Sequence, residues 1–241
     1  MSVHWHSYPE ADKAAEACAR QVLALLENAL SGEGEATLAV SGGSTPKLLF
    51  AHLAKANFDW GHVHLFWVDE RAVPMTDPQS NYKLADDNLI VPARIPHRNV
   101  HRIHAELPPD KAAKLYASEI REFFELADGE LPHFDVIHFG MGDEAHTASL
   151  FPGEPLIDNR EEIAAAVYVP KTPHWRVTLL PAALLAARHS VFLVAGEDKA
   201  EAVRWVFQEP YNPKKYPAQV ISHHGRKVTW FLDQPAARLM D

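Results

Sequence analysis

Ala39-Val-Ser-Gly-Gly-Ser-Thr-Pro-Lys-Leu-Leu49 (AVSGGSTPKLL) joins an apolar run to a helical one through two glycines, two hydroxyl residues and a proline. The run Ala36–Val40 is apolar without alternation, as a strand is when both faces of its sheet are covered. Pro46 suits the first turn of a helix, where its fixed φ helps and its missing N–H is not needed. Gly42 and Gly43 let backbone approach a ligand, and a helix N-terminus presents free N–H groups with partial positive charge. With the hydroxyls of Ser44 and Thr45 this makes a candidate phosphate cradle. The same letters also serve an ordinary strand-to-helix turn with a hydroxyl cap. Neither the Walker A spacing nor the G-x-G-x-x-G dinucleotide turn is present.

Outward from this turn the pattern repeats. Upstream, 3–8 (VHWHSY) reads as an edge strand. Ala11, Ala14, Ala15, Cys18, Val22, Leu25, Leu26 and Ala29 then recur at three- and four-residue steps, the buried stripe of an amphipathic helix that ends near SGEGE at 31–35. Downstream, strands are predicted at 62–68, 134–139, 166–169, 190–195 and 227–232. Helices are predicted at 46–56, 80–90, 109–127, 181–187 and 197–208. Such alternation predicts an α/β fold with a mainly parallel sheet. No repeat, low-complexity tract or long linker divides the chain, so residues 1–241 are expected to form one domain.

Composition narrows the function. The 241 residues carry a formal charge of −9, which disfavours general nucleic-acid or anionic-membrane binding. One cysteine excludes an internal disulfide framework, and no His/Asp/Glu set has zinc spacing. A basic, apolar leader is missing from the N-terminus and no apolar run reaches about 18 residues, so a cytoplasmic protein is expected.

Three more segments can carry chemistry. Val68-Asp69-Glu70-Arg71 ends an apolar strand, where ligands of open α/β sheets bind; Arg71 could meet an anion, Asp69 or Glu70 could bind sugar hydroxyls or hold Arg71, and the same letters also serve an ion pair at a strand end. Gly140-Met-Gly-Asp-Glu-Ala-His-Thr-Ala-Ser-Leu-Phe-Pro152 places Asp143 and Glu144 just before His146, and a histidine beside a carboxylate can act as a general base. Arg176 and Lys199 are cations, and Lys199 opens a helix, where its charge opposes the helix dipole; an anionic ligand would explain that position, though taken alone Lys199 reads as a solvated surface lysine. The G-x-S-x-G elbow of serine hydrolases is missing. His223, His224, His101 and His104 read as surface or capping residues, and Trp175, beside Arg176, as a residue that could border a pocket.

In this order, SGGSTP (41–46), VDERAVP…SNY (68–82), GMGDEAHTASLFPG (140–153), RVTL (176–179), LVAGEDKAEAV (193–203) and PAQVI (217–221) resemble the 6-phosphogluconolactonase family. The resemblance implies a three-layer α/β/α sandwich, shared with glucosamine-6-phosphate deaminases and ribose-5-phosphate isomerases. It implies hydrolysis of 6-phospho-D-glucono-1,5-lactone in the oxidative pentose phosphate pathway, with no metal or organic cofactor. The partner is then a phosphorylated sugar lactone, taken by a monomer or weak homodimer. Carried over by position, Gly42, Gly43, Ser44 and Thr45 line the sugar-phosphate site. Arg71, Arg176 and Lys199 supply positive charge, Arg176 and Lys199 at the phosphate, and His146 activates water. The family's usual Asp-Gly before the histidine is Glu144-Ala145 here, which leaves open whether Asp143 or Glu144 orients His146. It also predicts strain at Ala145 if the position has positive φ. The alternatives are a glucosamine-6-phosphate deaminase and a non-catalytic sugar-phosphate sensor; the second is disfavoured because no residues precede the first strand to form a helix-turn-helix.

Overall fold

The computed structural model describes residues 4–170 and 174–240; Val3 of the expected first strand lies outside them. The element order is β1 (His4–Tyr8), α1 (Ala11–Glu33), β2 (Ala36–Val40), α2 (Ser44–Lys55), β3 (Val63–Trp67), β4 (Asp69–Arg71) and α3 (Asn81–Ala85). There follow a π-helical turn (Asp86–Ile90), α4 (Val91–Ala93), α5 (Pro109–Phe123), β5 (Val136–Phe139), β6 (Ala164–Val169) and β7 (His174–Leu179). The chain ends with α6 (Pro181–Ala186), β8 (His189–Val194), α7 (Ala200–Gln208), α8 (Ala218–His224), β9 (Val228–Asp233) and α9 (Gln234–Ala237).

Six strands form one parallel sheet in the order β1-β9-β8-β5-β2-β3. Every residue of β2 and β5 is buried, the mark of strands covered on both faces. Helix α1 lies against β2, β8 and β9 and packs beside α2. It buries Ala14, Ala15, Cys18, Val22 and Leu26, much of the stripe read from the sequence. Burial pushes the Cys18 thiol far up, which keeps it protonated as a small core group. No helix among the described residues is long and apolar enough to cross a membrane.

A second sheet departs from the sequence reading. The strand expected at 62–68 ends at Trp67, and Val68 carries the chain from one sheet to the other. Its N–H donates to Val40 O while its carbonyl accepts from Leu179 N. Beyond it, β4, β7 and β6 form a three-stranded antiparallel sheet, against which α5 packs. The register sets Asp69 opposite Thr178 and Arg71 opposite Arg176. Alternation then places Asp69, Arg71, Arg176 and Thr178 on one face and Trp175 on the other. Trp175 lines a separate groove with Val73, Leu107 and Pro108, which corrects its expected place beside the pocket.

Other expectations shift at their edges. The helix expected at 80–90 is interrupted by the π-helical turn, and that expected at 197–208 opens with a single 3-10 turn over Glu197–Lys199. His101 is a packing residue: its ring stacks on Phe66 at 4.3 Å, and burial pushes its pKa down to about 4.

Candidate active site

The C-terminal ends of β2, β5 and β8 open on a pocket of about 210 Å³. Gly42, Gly43, Ser44, Thr45, Asp69, Arg71, His146, Arg176 and Lys199 all line it. Ser41, Gly140, Met141, Gly142, Ala148 and Ala195 line it as well and were not singled out from the sequence. Asp143 and Glu144 stand outside its lining.

The first wall is the turn into α2. Gly43 is the N-cap and Ser44 the first helical residue, so the helix begins two residues before the expected 46 and Pro46 still falls in its first turn. Gly42 has a structural reason besides ligand access: a Cβ there would lie 1.8 Å from the Asn81 side-chain oxygen. Asn81 in turn donates through Nδ2 to the Asp69 carbonyl at 2.9 Å.

The second wall is the β4–β7 pair. Arg71 and Arg176 are direct cross-strand partners, an arrangement of like charges that is unfavourable unless a carboxylate or a bound anion compensates. Asp69, 5% exposed, supplies one such charge: its Oδ2 lies 3.6 Å from Arg176 Nη1 and accepts from Ser149 Oγ at 2.6 Å. Burial pulls the Arg176 pKa down and Asp69 opposes that shift. Arg71 donates through Nη1 to Gln79 O at 2.6 Å. Glu70, which points away from its two neighbours, is buried and accepts from Arg71 N, Asn81 N, Tyr82 N and Ser80 Oγ. Burial raises its pKa against those four bonds. Glu70 is therefore the anchor that ties β4 to the start of α3 and holds Asn81 over Gly42.

The third wall is the loop after β5. His146 Nδ1 lies 3.3 Å from Glu144 Oε2, and this contact holds the Glu144 carboxyl well below the usual carboxylate range. Glu144 is thus the carboxylate at the imidazole, while Asp143 is exposed and interacts with Glu144. Gly142 N–H donates to His146 O at 2.9 Å, and a Cβ on Gly142 would lie 2.0 Å from His146 Nδ1. Substituting Gly142→Ala should therefore push the ring aside. Turnover is expected to fall about 10²-fold with little change in melting temperature, read by steady-state kinetics beside a thermal melt.

Ala145 has φ +61°, the left-handed conformation, which strains a residue that carries a Cβ. Its N–H donates to Gly142 O, and its carbonyl accepts from Ala218 N at the start of α8. The left-handed backbone costs an L-residue roughly 1–2 kcal/mol. A glycine would relieve that but would lose a buried methyl worth about 0.8 kcal/mol and roughly 0.5–1 kcal/mol of backbone entropy. These terms nearly cancel, which explains how alanine persists here.

Lys199 stands at the N-cap of α7, with Nζ 3.1 Å from Asp198 Oδ2. Among the described residues no group of three or more His, Cys, Asp or Glu side chains is placed to hold a metal ion.

The pocket thus presents a histidine on a carboxylate to one side and three cations to the other. A family model described as glucosamine-6-phosphate isomerases/6-phosphogluconolactonase matches residues 9–230. A 6-phosphogluconolactonase of Synechocystis sp. is 36% identical over 212 residues, covering 88% of this chain and 87% of its own. The crystal structure of a devB protein superposes with a TM-score of 0.88 at 32% identity, covering both chains in full (100% of each). A monomeric glucosamine-6-phosphate deaminase superposes with a TM-score of 0.83 at 18% identity, over 98% of this chain and 100% of its own, so the fold alone does not separate the two chemistries. The matched model spans all three walls of the pocket, and the chain belongs to the glucosamine-6-phosphate isomerase/6-phosphogluconolactonase family.

Proposed function

We propose that the chain hydrolyses 6-phospho-D-glucono-1,5-lactone to 6-phospho-D-gluconate, with His146 as general base. The observation that carries this reading is the pairing of His146 Nδ1 with Glu144 in a pocket that also holds Arg176 and Lys199. With Nδ1 turned toward the carboxylate, Nε2 is left to act as the basic nitrogen. It takes a proton from the attacking water as the oxygen bonds to C1 of the lactone. The tetrahedral intermediate collapses with cleavage of the C1–ring oxygen bond, and the proton held by His146 passes to the departing ring oxygen. A lactone carbonyl is electrophilic enough that no covalent nucleophile is needed. Arg176, Lys199 and the first turn of α2 hold the phosphate, so that binding energy remote from C1 orients it against the water. Arg71 adds positive charge beside them, and Asp69 sets Arg176 in place. The carboxylate of Glu144 stays ionised through the neutral range, so a negative charge faces Nδ1 throughout it.

The chain acts in this reading as one cytoplasmic domain, monomeric or weakly dimeric. The test is acid release from freshly generated 6-phosphogluconolactone against the spontaneous background. Hydrolysis well above background supports the reading. Ammonia release from glucosamine 6-phosphate without lactone hydrolysis would replace it with the deaminase, and tight sugar-phosphate binding without turnover would replace it with the sensor.

A further inference from the structure

We infer that Phe151 is a positioning residue whose ring seats both the base His146 and the anion-binding Arg176. The inference rests on the lactonase reading for its kinetic consequences, though not for its geometry. The Phe151 ring stacks on the His146 imidazole with centroids 4.1 Å apart and planes 27° from parallel. The Arg176 guanidinium carbon lies 5.5 Å from the centroid of the same ring. Phe151 itself is 8% exposed and stands outside the lining of the pocket, so it supports the side chains that would meet the substrate without meeting it.

What fixes Phe151 is local and independent of the main core. It packs with Val167, Val169 and Leu156 in a small separate apolar cluster. Val167, on β6, is the cross-strand partner of Arg176 on β7, so the strand paired with the one that carries the arginine braces the ring beneath it. The backbone around Phe151 is pinned as well, through Leu150 N to Thr147 O, Glu154 N to Phe151 O, and Gly153 N to Lys214 O. One ring therefore fixes the spacing between the group that activates water and a cation at the far end of the substrate. Glu144 fixes which imidazole nitrogen is basic, and Phe151 fixes where that nitrogen sits. An aromatic face also attracts the cationic forms of both neighbours, which an aliphatic side chain of equal bulk does not.

The experiment compares Phe151→Leu and Phe151→Tyr in the full chain. Turnover is followed on 6-phosphogluconolactone and on glucono-1,5-lactone, which has no phosphate, and each variant is also melted. Phe151→Leu is expected to lower kcat about 10- to 100-fold on the phosphorylated lactone. Its KM should rise with that substrate and stay unchanged with the unphosphorylated one. Phe151→Tyr, which keeps the ring, should recover most of the lost kcat even if its melting temperature falls as far. A Leu variant with wild-type kcat and KM overturns the inference, as does a folded Tyr variant as slow as the Leu variant. A measurement on the unaltered chain adds a readout that does not depend on turnover. The ring protons of His146, assigned by their loss in His146→Ala, should be shifted upfield by the Phe151 ring current. Unshifted resonances overturn the stacking. Shifted resonances in a protein that hydrolyses no lactone would leave the seat standing and remove the lactonase reading instead.

Discussion

His146→Ala is expected to lower the turnover of 6-phosphogluconolactone by about 10²–10⁴-fold, the contribution usual for a positioned general base. The fold should survive. The ring lies in a pocket wall, and the backbone bond from Gly142 N to His146 O does not depend on it. Two ring contacts disappear, one with Phe151 and one with Glu144. Because the second holds the Glu144 carboxyl below its ordinary range, its contribution to stability is complete above the unfolded value of about 4.3 and fades only as the pH falls below it. At neutral pH the variant should therefore lose a modest part of its stability, while below about pH 4 its melting temperature should draw closer to that of the parent. Initial rates of acid release, corrected for spontaneous hydrolysis, and melts at pH 7 and below pH 4 check both halves. A variant that keeps near-parental turnover would take His146 out of the chemistry, and Glu144 with it.

The residues that could be found from sequence are those whose local physics is out of place. Gly42 and Gly43 beside Pro46 punctuate a strand-to-helix turn, and Lys199 at a helix start opposes the dipole, so both stand out without any knowledge of tertiary structure. The parallel sheet was legible for a similar reason, since fully apolar strands such as β2 and β5 imply cover on both faces. The antiparallel sheet was not. β4 is three residues long, Asp69–Arg71, and has no apolar content from which a period can be read, while β7 carries Arg176 in its middle. Only the register between them brings Arg71 opposite Arg176, and register is a tertiary fact. The choice between Asp143 and Glu144 likewise depends on the tertiary path of the loop, in which Glu144 faces the imidazole and Asp143 is exposed. Phe151 gave no local signal, because an aromatic residue in a loop is ordinary until its neighbours are known. Glu70 carries a carboxylate that could equally bind a sugar hydroxyl or hold Arg71, and only its four accepted bonds show that it ties β4 to α3 instead.

Arg176→Ala is expected to act on binding and on stability through two separable causes. The first is loss of the proposed phosphate contact. A charge-assisted contact to a dianion in a half-closed pocket is among the stronger polar interactions, so kcat/KM for the phosphorylated lactone should fall about 10²-fold or more, with the change largely in KM. Unphosphorylated glucono-1,5-lactone should be affected far less. The second cause lies in Asp69. Removing one partner of a buried pair leaves the other uncompensated, at a cost of about 3–5 kcal/mol. Asp69 keeps its bond from Ser149 Oγ and a longer one from Asn81 Nδ2 at 3.4 Å, which places the expected loss toward the lower end of that range. Arg71 pulls in the opposite direction, because its direct cross-strand neighbour no longer carries like charge. The double variant Arg176→Ala/Asp69→Asn separates the two causes. It should regain much of the melting temperature, since neither member of the pair is then buried as a lone ion, and it should regain none of the affinity. Recovery of KM in the double variant would mean that Asp69, not the arginine, sets phosphate affinity. An unchanged KM in the single variant would move the phosphate to Lys199 and the α2 turn alone.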